Sequence, residues 1–282
     1  MEPKIILHGG IEFTEGKSEE KKEKALDTIC CAAYGRLMES NALDAVESAI
    51  TMLEDNPFFN AGTGAILQAD GVQRMDASIM DGYSYRSGAV SQIRGVRNPI
   101  KVARLVMEKT SHHLIVGDEA QKFAYLNGIE MHATMTKEAV EKWLKIRNDV
   151  QYGTVGAVAI DKEGKIAAAT STGGWATSFP GRVGDVPIIG AGTYSNNYVG
   201  VSCTGHGEKI LTINLARLVS FYVGEGYELE RAAEKSLGEL RKIDGIGGFI
   251  AVNFNGDLLS IATHGAYMPV SSMPQPQKPR YL

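Results

Sequence analysis

Apolar positions along the chain switch between two periods, and the switches divide it into elements. Residues 5–7 are consecutive apolar positions stopped by Gly9 and Gly10, the signature of a short buried strand running into a turn. From position 18 the spacing turns helical, with Ala25, Ile29, Ala32 and Leu37 on one face, and a second helix is predicted over 42–53. The segment 56–64 (NPFFNAGTG) is dense in Asn, Pro and Gly and reads as a shaped loop, while 65–68 and 77–80 read as the strands of a hairpin. Helical spacing returns over 98–109, 117–127 and 136–148, the last polar enough for a surface segment or linker.

At Gly153 the pattern changes. A near-continuous apolar run over 155–160, turn chemistry over 161–164 and a second run over 166–171 make the clearest hairpin in the chain. Amphipathic helices follow over 205–223 and 229–243, and a last hairpin pairs 248–254 with 258–263 around Asn255-Gly256. Sheets sandwiched between helical layers satisfy this order. The Pro-rich tail, 273–279, is expected to be loose. A length of 282 residues fits one large domain or two, and no internal repeat divides it.

Composition narrows the class. Hydrophobic residues at 44% and charged residues at 22% suit a globular core and exclude global disorder. With 29 basic against 33 acidic residues, a net charge of -4 and no dense Lys/Arg run, nucleic acid is not an expected partner. No apolar run reaches membrane-spanning length and the opening apolar stretch is too short for a signal core, so a soluble, cytoplasmic protein is expected. Cys30, Cys31 and Cys203 have neither disulfide-framework nor zinc-ligand spacing and are expected to be small buried residues in a reducing compartment. The histidines show no metal-ligand spacing, so no catalytic metal is expected.

The chemistry concentrates in short Gly- and Thr-rich segments: HGG at 8–10, FNAGTG at 59–64, MDASIMDG at 75–82, GTVGAV at 153–158, TSTGG at 170–174, GRVGD at 181–185, TGHGE at 204–208 and GIGGF at 245–249. In this order, over nearly the whole chain, they resemble the plant-type asparaginase and isoaspartyl aminopeptidase family of N-terminal-nucleophile hydrolases. The resemblance implies an α/β (α+β) fold, a four-layer αββα sandwich of the N-terminal-nucleophile hydrolase type. It also implies cleavage between Gly153 and Thr154 into an α chain of residues 1–153 and a β chain of residues 154–282, together one structural domain.

A threonine hydroxyl is too weakly acidic to attack an amide unaided. As the first residue of a new chain, Thr154 would carry its own base, an α-amino group of pKa roughly 7.7–8. The same hydroxyl can first attack the Gly153 carbonyl, and glycine tolerates the bend this demands. Read alone, Gly-Thr is an ordinary strand start; the other motifs make Thr154 the nucleophile. By resemblance Thr172 orients that hydroxyl, although locally it reads equally as a half-buried strand threonine. Thr204 and Gly205 precede a predicted helix, which fits either an oxyanion hole or an N-cap. Arg182 and Asp185 read locally as a surface ion pair; by resemblance they clamp a substrate's α-carboxylate and α-ammonium groups, with Gly207 contacting it through its backbone.

The resemblance further places Asn60 beside the nucleophile and gives a structural sodium ion to the backbone carbonyls of Leu53, Glu54, Asn56, Phe59, Ala61 and Thr63, with no cofactor required. His8, Gly9 and Gly10 read as a tight turn supporting the site. The implied partners are asparagine and β-aspartyl peptides, and the implied assembly is a homodimer of αβ pairs. An isoaspartyl bond occupies the place of asparagine's side-chain amide, so one clamp serves both, and the sequence leaves the preference open. Two other readings remain: a glycosylasparaginase-like amidase, which the missing signal segment and disulfides disfavour, and an uncleaved amino-acid-binding protein.

Overall fold

The computed structural model describes residues 1–11, 20–132, 137–146 and 153–282. The expected helix start at position 18, the ends of the expected helix 136–148 and the segment before Gly153 lie outside the described residues. Twelve strands and eight α-helices are described, in chain order: β1 (Lys4–His8), α1 (Glu20–Glu39), α2 (Ala42–Asp55), β2 (Met75–Asp81), β3 (Ser87–Ile93), α3 (Pro99–Lys109), β4 (Leu114–Val116), α4 (Gly117–Leu126) and α5 (Lys137–Ile146). After Thr154 follow β5 (Val155–Ile160), β6 (Ile166–Thr172), β7 (Thr193–Ser195), β8 (Val199–Gly205), α6 (Gly207–Ile213), α7 (Leu215–Gly224), α8 (Leu229–Lys242), β9 (Gly247–Asn253), β10 (Leu258–Ala262), β11 (Val270–Met273) and β12 (Arg280–Tyr281).

These strands form two sheets, ordered β11-β1-β5-β6-β2-β3-β4 and β12-β10-β9-β8-β7. Alternation of side chains along each strand builds the layers. On β1 and β5, Ile5, Leu7, Val155, Ala157 and Ala159 join α1, α2 and α3 in one core, while Ile6, Val158 and Ile160 turn to the opposite sheet and meet Ile250 and Val252 of β9. Phe249 and Ala251 point the other way, into a third core with α7 and α8. Helix, sheet, sheet, helix is therefore the layer order, the expected αββα sandwich. Each fully buried Phe or Leu in such a core contributes roughly 1.5–3 kcal/mol.

The larger sheet interleaves the two halves of the chain. β1 pairs with β5 and β11, and β2 pairs with β6, so strands from before and after residue 153 are mixed within it. Between the sheets the apolar layer gives way to hydroxyls. Ser78 donates to the Val186 carbonyl (2.6 Å) and meets Thr193 (2.7 Å); Thr193 meets Thr170 (2.5 Å), Thr170 meets Ser202 (2.7 Å), and Ser202 meets His8 Nε2 (3.1 Å). A buried polar chain with every member paired is tolerated where an unpaired one would cost stability. Gly156 is required beside it, since a Cβ there would stand 2.1 Å from Ser202 Oγ and 2.2 Å from His8 Nε2.

Several expectations change. Ala32 is exposed, and α1 buries Leu26, Ile29, Cys30, Ala33 and Leu37 instead. Residues 65–68 contribute only an isolated bridge from Leu67 to Gln73; the partner of β2 is β3, whose buried Ser87, Ser91 and Gln92 hide it from a hydropathy pattern. The helix expected over 205–223 is two helices broken at Asn214, which is left-handed (φ 52°), and Gly205 ends strand β8 rather than opening a helix. Cys31 is exposed, unlike Cys30 and Cys203. Residues 274–279 of the expected loose tail form no helix or strand, but both flanks are tied: Met273 ends β11, Arg280–Tyr281 pairs in parallel with β10, and Leu282 packs on the α7/α8 core. Among the described residues no helix is long and apolar enough to cross a membrane.

Deleting Arg280, Tyr281 and Leu282 removes the bonds from Leu282 N to Ala262 O (2.9 Å) and from His264 N to Leu282 O (2.6 Å). We expect a loss of about 1–2 kcal/mol, read as a melting temperature lower by a few degrees; an unchanged melting curve would mean that the tail is as loose as its composition implies.

Candidate active site

Thr154 stands one residue ahead of β5, buried to 7% exposure. The antiparallel register pairs Val155 with Ser171, which sets Thr154 against Thr172. Their hydroxyls lie 3.5 Å apart, with Thr154 donating to Thr172. Thr172 in turn donates to the Gly153 carbonyl at 2.8 Å and accepts from Gly174 N at 3.1 Å. Asn60 Nδ2 donates to the same carbonyl at 3.0 Å and to Gly174 O at 2.9 Å, while its Oδ1 accepts from Ile66 N at 2.9 Å and fixes the amide's orientation. The carbonyl before Thr154 thus carries two side-chain donors, and polarising a carbonyl in this way prepares it for attack. A Cβ on Gly153 would stand 2.8 Å from Asn60 Cβ.

The turn after β1 closes on the same peptide. Gly10 is left-handed (φ 96°), and a Cβ there would fall 2.7 Å from Thr154 N and 2.8 Å from Thr154 O. Gly9 N donates to Pro269 O (3.0 Å), Gly10 N to His8 Nδ1 (3.3 Å), and Ile11 N to Thr204 Oγ1 (3.1 Å). That last bond ties the nucleophile's surroundings to the end of β8. His8 is kept neutral, because burial pushes its pKa down to about 3 against a hydrogen bond to the Thr154 backbone.

Beyond Thr204 a second group gathers around Gly207. A Cβ there would stand 2.7 Å from Arg182 Nη2 and 2.8 Å from Asp185 Oδ1, so any side chain at 207 would displace one or both of these groups. Asp185 is 5% exposed, its Oδ2 is buried without a hydrogen-bond partner, and burial pushes its pKa up to about 7 despite the Arg182 charge nearby. The surface ion pair read locally between Arg182 and Asp185 is replaced by one between Arg182 and Glu208. The Arg182 guanidinium stacks on Trp175, 4.4 Å from the ring centroid, and gives Nε and Nη2 to Glu208 at 2.9 and 3.0 Å. A buried carboxyl with one oxygen unpaired, beside a braced guanidinium, has the chemistry to take up a group carrying both charges.

The structure thus brings Gly153, Thr154, Thr172 and Asn60 into one hydrogen-bonded group, and Arg182, Asp185 and Gly207 into a second. Thr204 and Gly205 lie between them on β8. Thr204 does not cap a helix: His206 occupies that position, and the Thr204 oxygen serves Ile11 N. Trp175 and Glu208 were not singled out in the sequence, although Trp175 directly follows the segment TSTGG and Glu208 ends the segment TGHGE. Asp76 and Gln92 were missed as well, and their part is taken up below.

Leu53, Glu54, Asn56, Phe59, Ala61 and Thr63 lie where α2 ends and the shaped loop begins. The Glu54 side chain is fully buried; Oε1 accepts from Ser171 Oγ (2.7 Å) and Ile100 N (3.1 Å), while Oε2 has no partner. Burial pushes its pKa up to about 8, against the bonds from Ser171 and Ile100.

A family model described as asparaginase matches residues 1–151 and 146–277. The chain belongs to this asparaginase family. It is 46% identical over 276 residues to the isoaspartyl peptidase/L-asparaginase of Bos taurus, covering 91% of this chain and 89% of that protein. The Homo sapiens protein of the same name is 45% identical over 276 residues, with the same coverage of 91% and 89%. The plant-type L-asparaginase of Pyrococcus horikoshii is 42% identical over 280 residues, covering 90% of this chain and 91% of that protein.

Glu54 sets a pH dependence of stability. Its carboxyl keeps a proton to about pH 8 when folded but only to about 4.5 when unfolded, so the stabilisation is complete below the lower value and is lost as pH rises through the upper one. We expect the melting temperature to fall over this window and Glu54→Gln to flatten the fall, measured by calorimetry across a pH series. An equally steep fall in the variant would assign the dependence elsewhere.

Proposed function

We propose that this chain cuts itself before Thr154 and then hydrolyses the side-chain amide of L-asparagine and the isoaspartyl bond of β-aspartyl dipeptides. The observation that carries the reading is the doubly donated Gly153 carbonyl beside the Thr154 hydroxyl. Thr154 Oγ1 attacks that carbonyl; the new C–O bond replaces the C–N bond as the nitrogen takes up a proton, and an ester links the two halves. Water then hydrolyses the ester, releasing the Gly153 carboxylate and restoring the hydroxyl. Residues 1–153 and 154–282 become the α and β chains.

In the cut protein the α-amine of Thr154 takes the proton from its own hydroxyl as that attacks the substrate's amide carbonyl, and Thr172 keeps the hydroxyl aimed; the C–N bond breaks as that proton passes to the departing ammonia or peptide amine, and water then hydrolyses the acyl ester and restores the hydroxyl. Thr204 Oγ1 and the Gly205 N–H supply the oxyanion donors; the Thr204 oxygen already accepts from Ile11, leaving its proton free to donate. Asn60, released from the Gly153 carbonyl, stays beside the nucleophile. Arg182 takes the α-carboxylate and Asp185 the α-ammonium, with the Gly207 backbone alongside. Binding an ammonium restores Asp185 to its charged form. The names of the relatives, isoaspartyl peptidase/L-asparaginase and plant-type L-asparaginase, support both substrates.

The same reading includes a sodium ion on the backbone carbonyls of Leu53, Glu54, Asn56, Phe59, Ala61 and Thr63. The residues fit: Gly62 (φ 53°) folds so tightly under α2 that a Cβ would fall 2.3 Å from Glu54 O. The carbonyls of Leu53, Phe59 and Ala61 each accept one amide N–H, leaving a second lone pair for a hard cation. The ion would brace the loop that carries Asn60. A homodimer of αβ pairs and a cytoplasmic location complete the proposal, the free thiols of Cys30, Cys31 and Cys203 suiting a reducing compartment.

Intact mass and N-terminal sequencing after incubation at neutral pH test the cut: fragments beginning at Met1 and Thr154 are expected, and Thr154→Ala should give one uncut mass. A wild-type chain that stays whole while binding aspartate would overturn the enzyme reading. Thr172→Val keeps the shape but loses the donor on the Gly153 carbonyl, and we expect self-cleavage slowed by about 100-fold or more. Cleavage at the wild-type rate would remove Thr172 from the mechanism.

A further inference from the structure

β2 and β3 lose register at one point, where Met75 faces Ile93 but Ala77 faces Val90, so Asp76 stands opposite both Ser91 and Gln92. Such a two-against-one bulge re-aims a side chain. Here it puts Gln92 in the left-handed region (φ 54°), a conformation that side-chain-bearing residues adopt under strain. Asp76 Oδ1 holds it there, accepting from Ser91 Oγ at 2.7 Å and from Gln92 N at 2.8 Å. On its other side Asp76 is the register partner of Thr172.

The re-aimed side chain reaches the loop that carries Arg182. Gln92 Oε1 accepts from Gly181 N at 3.0 Å, and Gln92 Nε2 donates to Arg182 O at 2.7 Å. The carboxamide thus takes the place of a neighbouring strand, pairing with one donor and one acceptor on consecutive residues. The loop has need of it: Phe179 is 80% exposed and Pro180 is exposed, while Gln92 itself is buried to 6%. We propose that Gln92 is a positioning residue for the substrate, its carboxamide fixing the Gly181–Arg182 backbone so that the Arg182 guanidinium meets the α-carboxylate. This rests on the role given to Arg182 above. Trp175 and Glu208 brace the far end of the same side chain, and Gln92 braces its root.

The test compares Gln92→Met, which keeps bulk and strain but loses both bonds, with Gln92→Gly, which loses both bonds and relieves the strain. Each variant is allowed to self-cleave; asparagine and a β-aspartyl dipeptide are then turned over, and hydrogen exchange is followed at Gly181. KM should rise about tenfold in both variants with kcat within about twofold, the pattern of lost ground-state and transition-state binding alike. Exchange at Gly181 should quicken in both, and the melting temperature of Gln92→Gly should not fall below that of Gln92→Met. An active wild type whose variants keep its KM, or lose kcat alone, overturns the role of Gln92. Unchanged exchange at Gly181 overturns the clamp itself. A cleaved wild type that hydrolyses neither substrate overturns the enzyme reading, and this role with it.

Discussion

Two donors from different parts of the chain meet on the carbonyl of Gly153, and the surrounding architecture serves to keep them there. Thr172 arrives on a strand whose register is fixed by six paired residues of β5. Asn60 arrives on a loop anchored at the end of α2 and oriented by the Ile66 amide. Gly10 presses on the following peptide with no room for a side chain. A carbonyl held this way has little freedom to relax away from an attacking hydroxyl, and preorganisation of this kind costs no rearrangement at the moment of reaction.

Glycine recurs because backbone, rather than side chain, forms much of the site wall. Gly10, Gly153 and Gly207 each sit where a Cβ would meet the scissile peptide, Asn60, or the Arg182 and Asp185 pair. Between the sheets, Gly156 leaves room for the hydrogen bond from His8 to Ser202. The hydroxyl chain beyond that bond reaches Val186, next to Asp185, so the turn packed on Thr154 and the group around Arg182 and Asp185 are fixed to one polar seam.

Elements with clean periodicity were legible in the sequence: β1, α2, the β5–β6 hairpin, α8 and the β9–β10 hairpin all fall within a few residues of expectation. β3 and β8 were not, because Ser, Gln, Thr and Gly interrupt their apolar runs and their polar side chains are buried against partners elsewhere in the chain, Asp76 and the Gly181–Arg182 loop for β3, His8 and Thr170 for β8. The helix drawn over 205–223 failed at Asn214, whose left-handed backbone breaks a run of otherwise helical spacing. Tail residues 280–282 pair with a strand that composition alone could not reveal. Motifs singled out the residues that the fold gathers around Gly153 and Arg182, whereas Trp175 and Gln92 join them through geometry that local patterns do not carry. Gln92 depends on a bulge, and a bulge is a property of two strands together.

The interleaving of the larger sheet has a consequence for a protein cut at residue 153. β5 lies between β1, from the first half, and β6, from the second, so a cut would leave neither piece with the larger sheet complete. Before the cut, folding is a first-order event within one molecule; after it, reassembly becomes a second-order encounter between two chains and depends on their concentration. A cut form would keep the ladder hydrogen bonds of its sheets, but once unfolded and diluted it would have lost the linker that brought its strands together. Self-cleavage would in this sense be a ratchet: the sandwich must be finished before the bond is broken, because the broken chain is poorly placed to begin again.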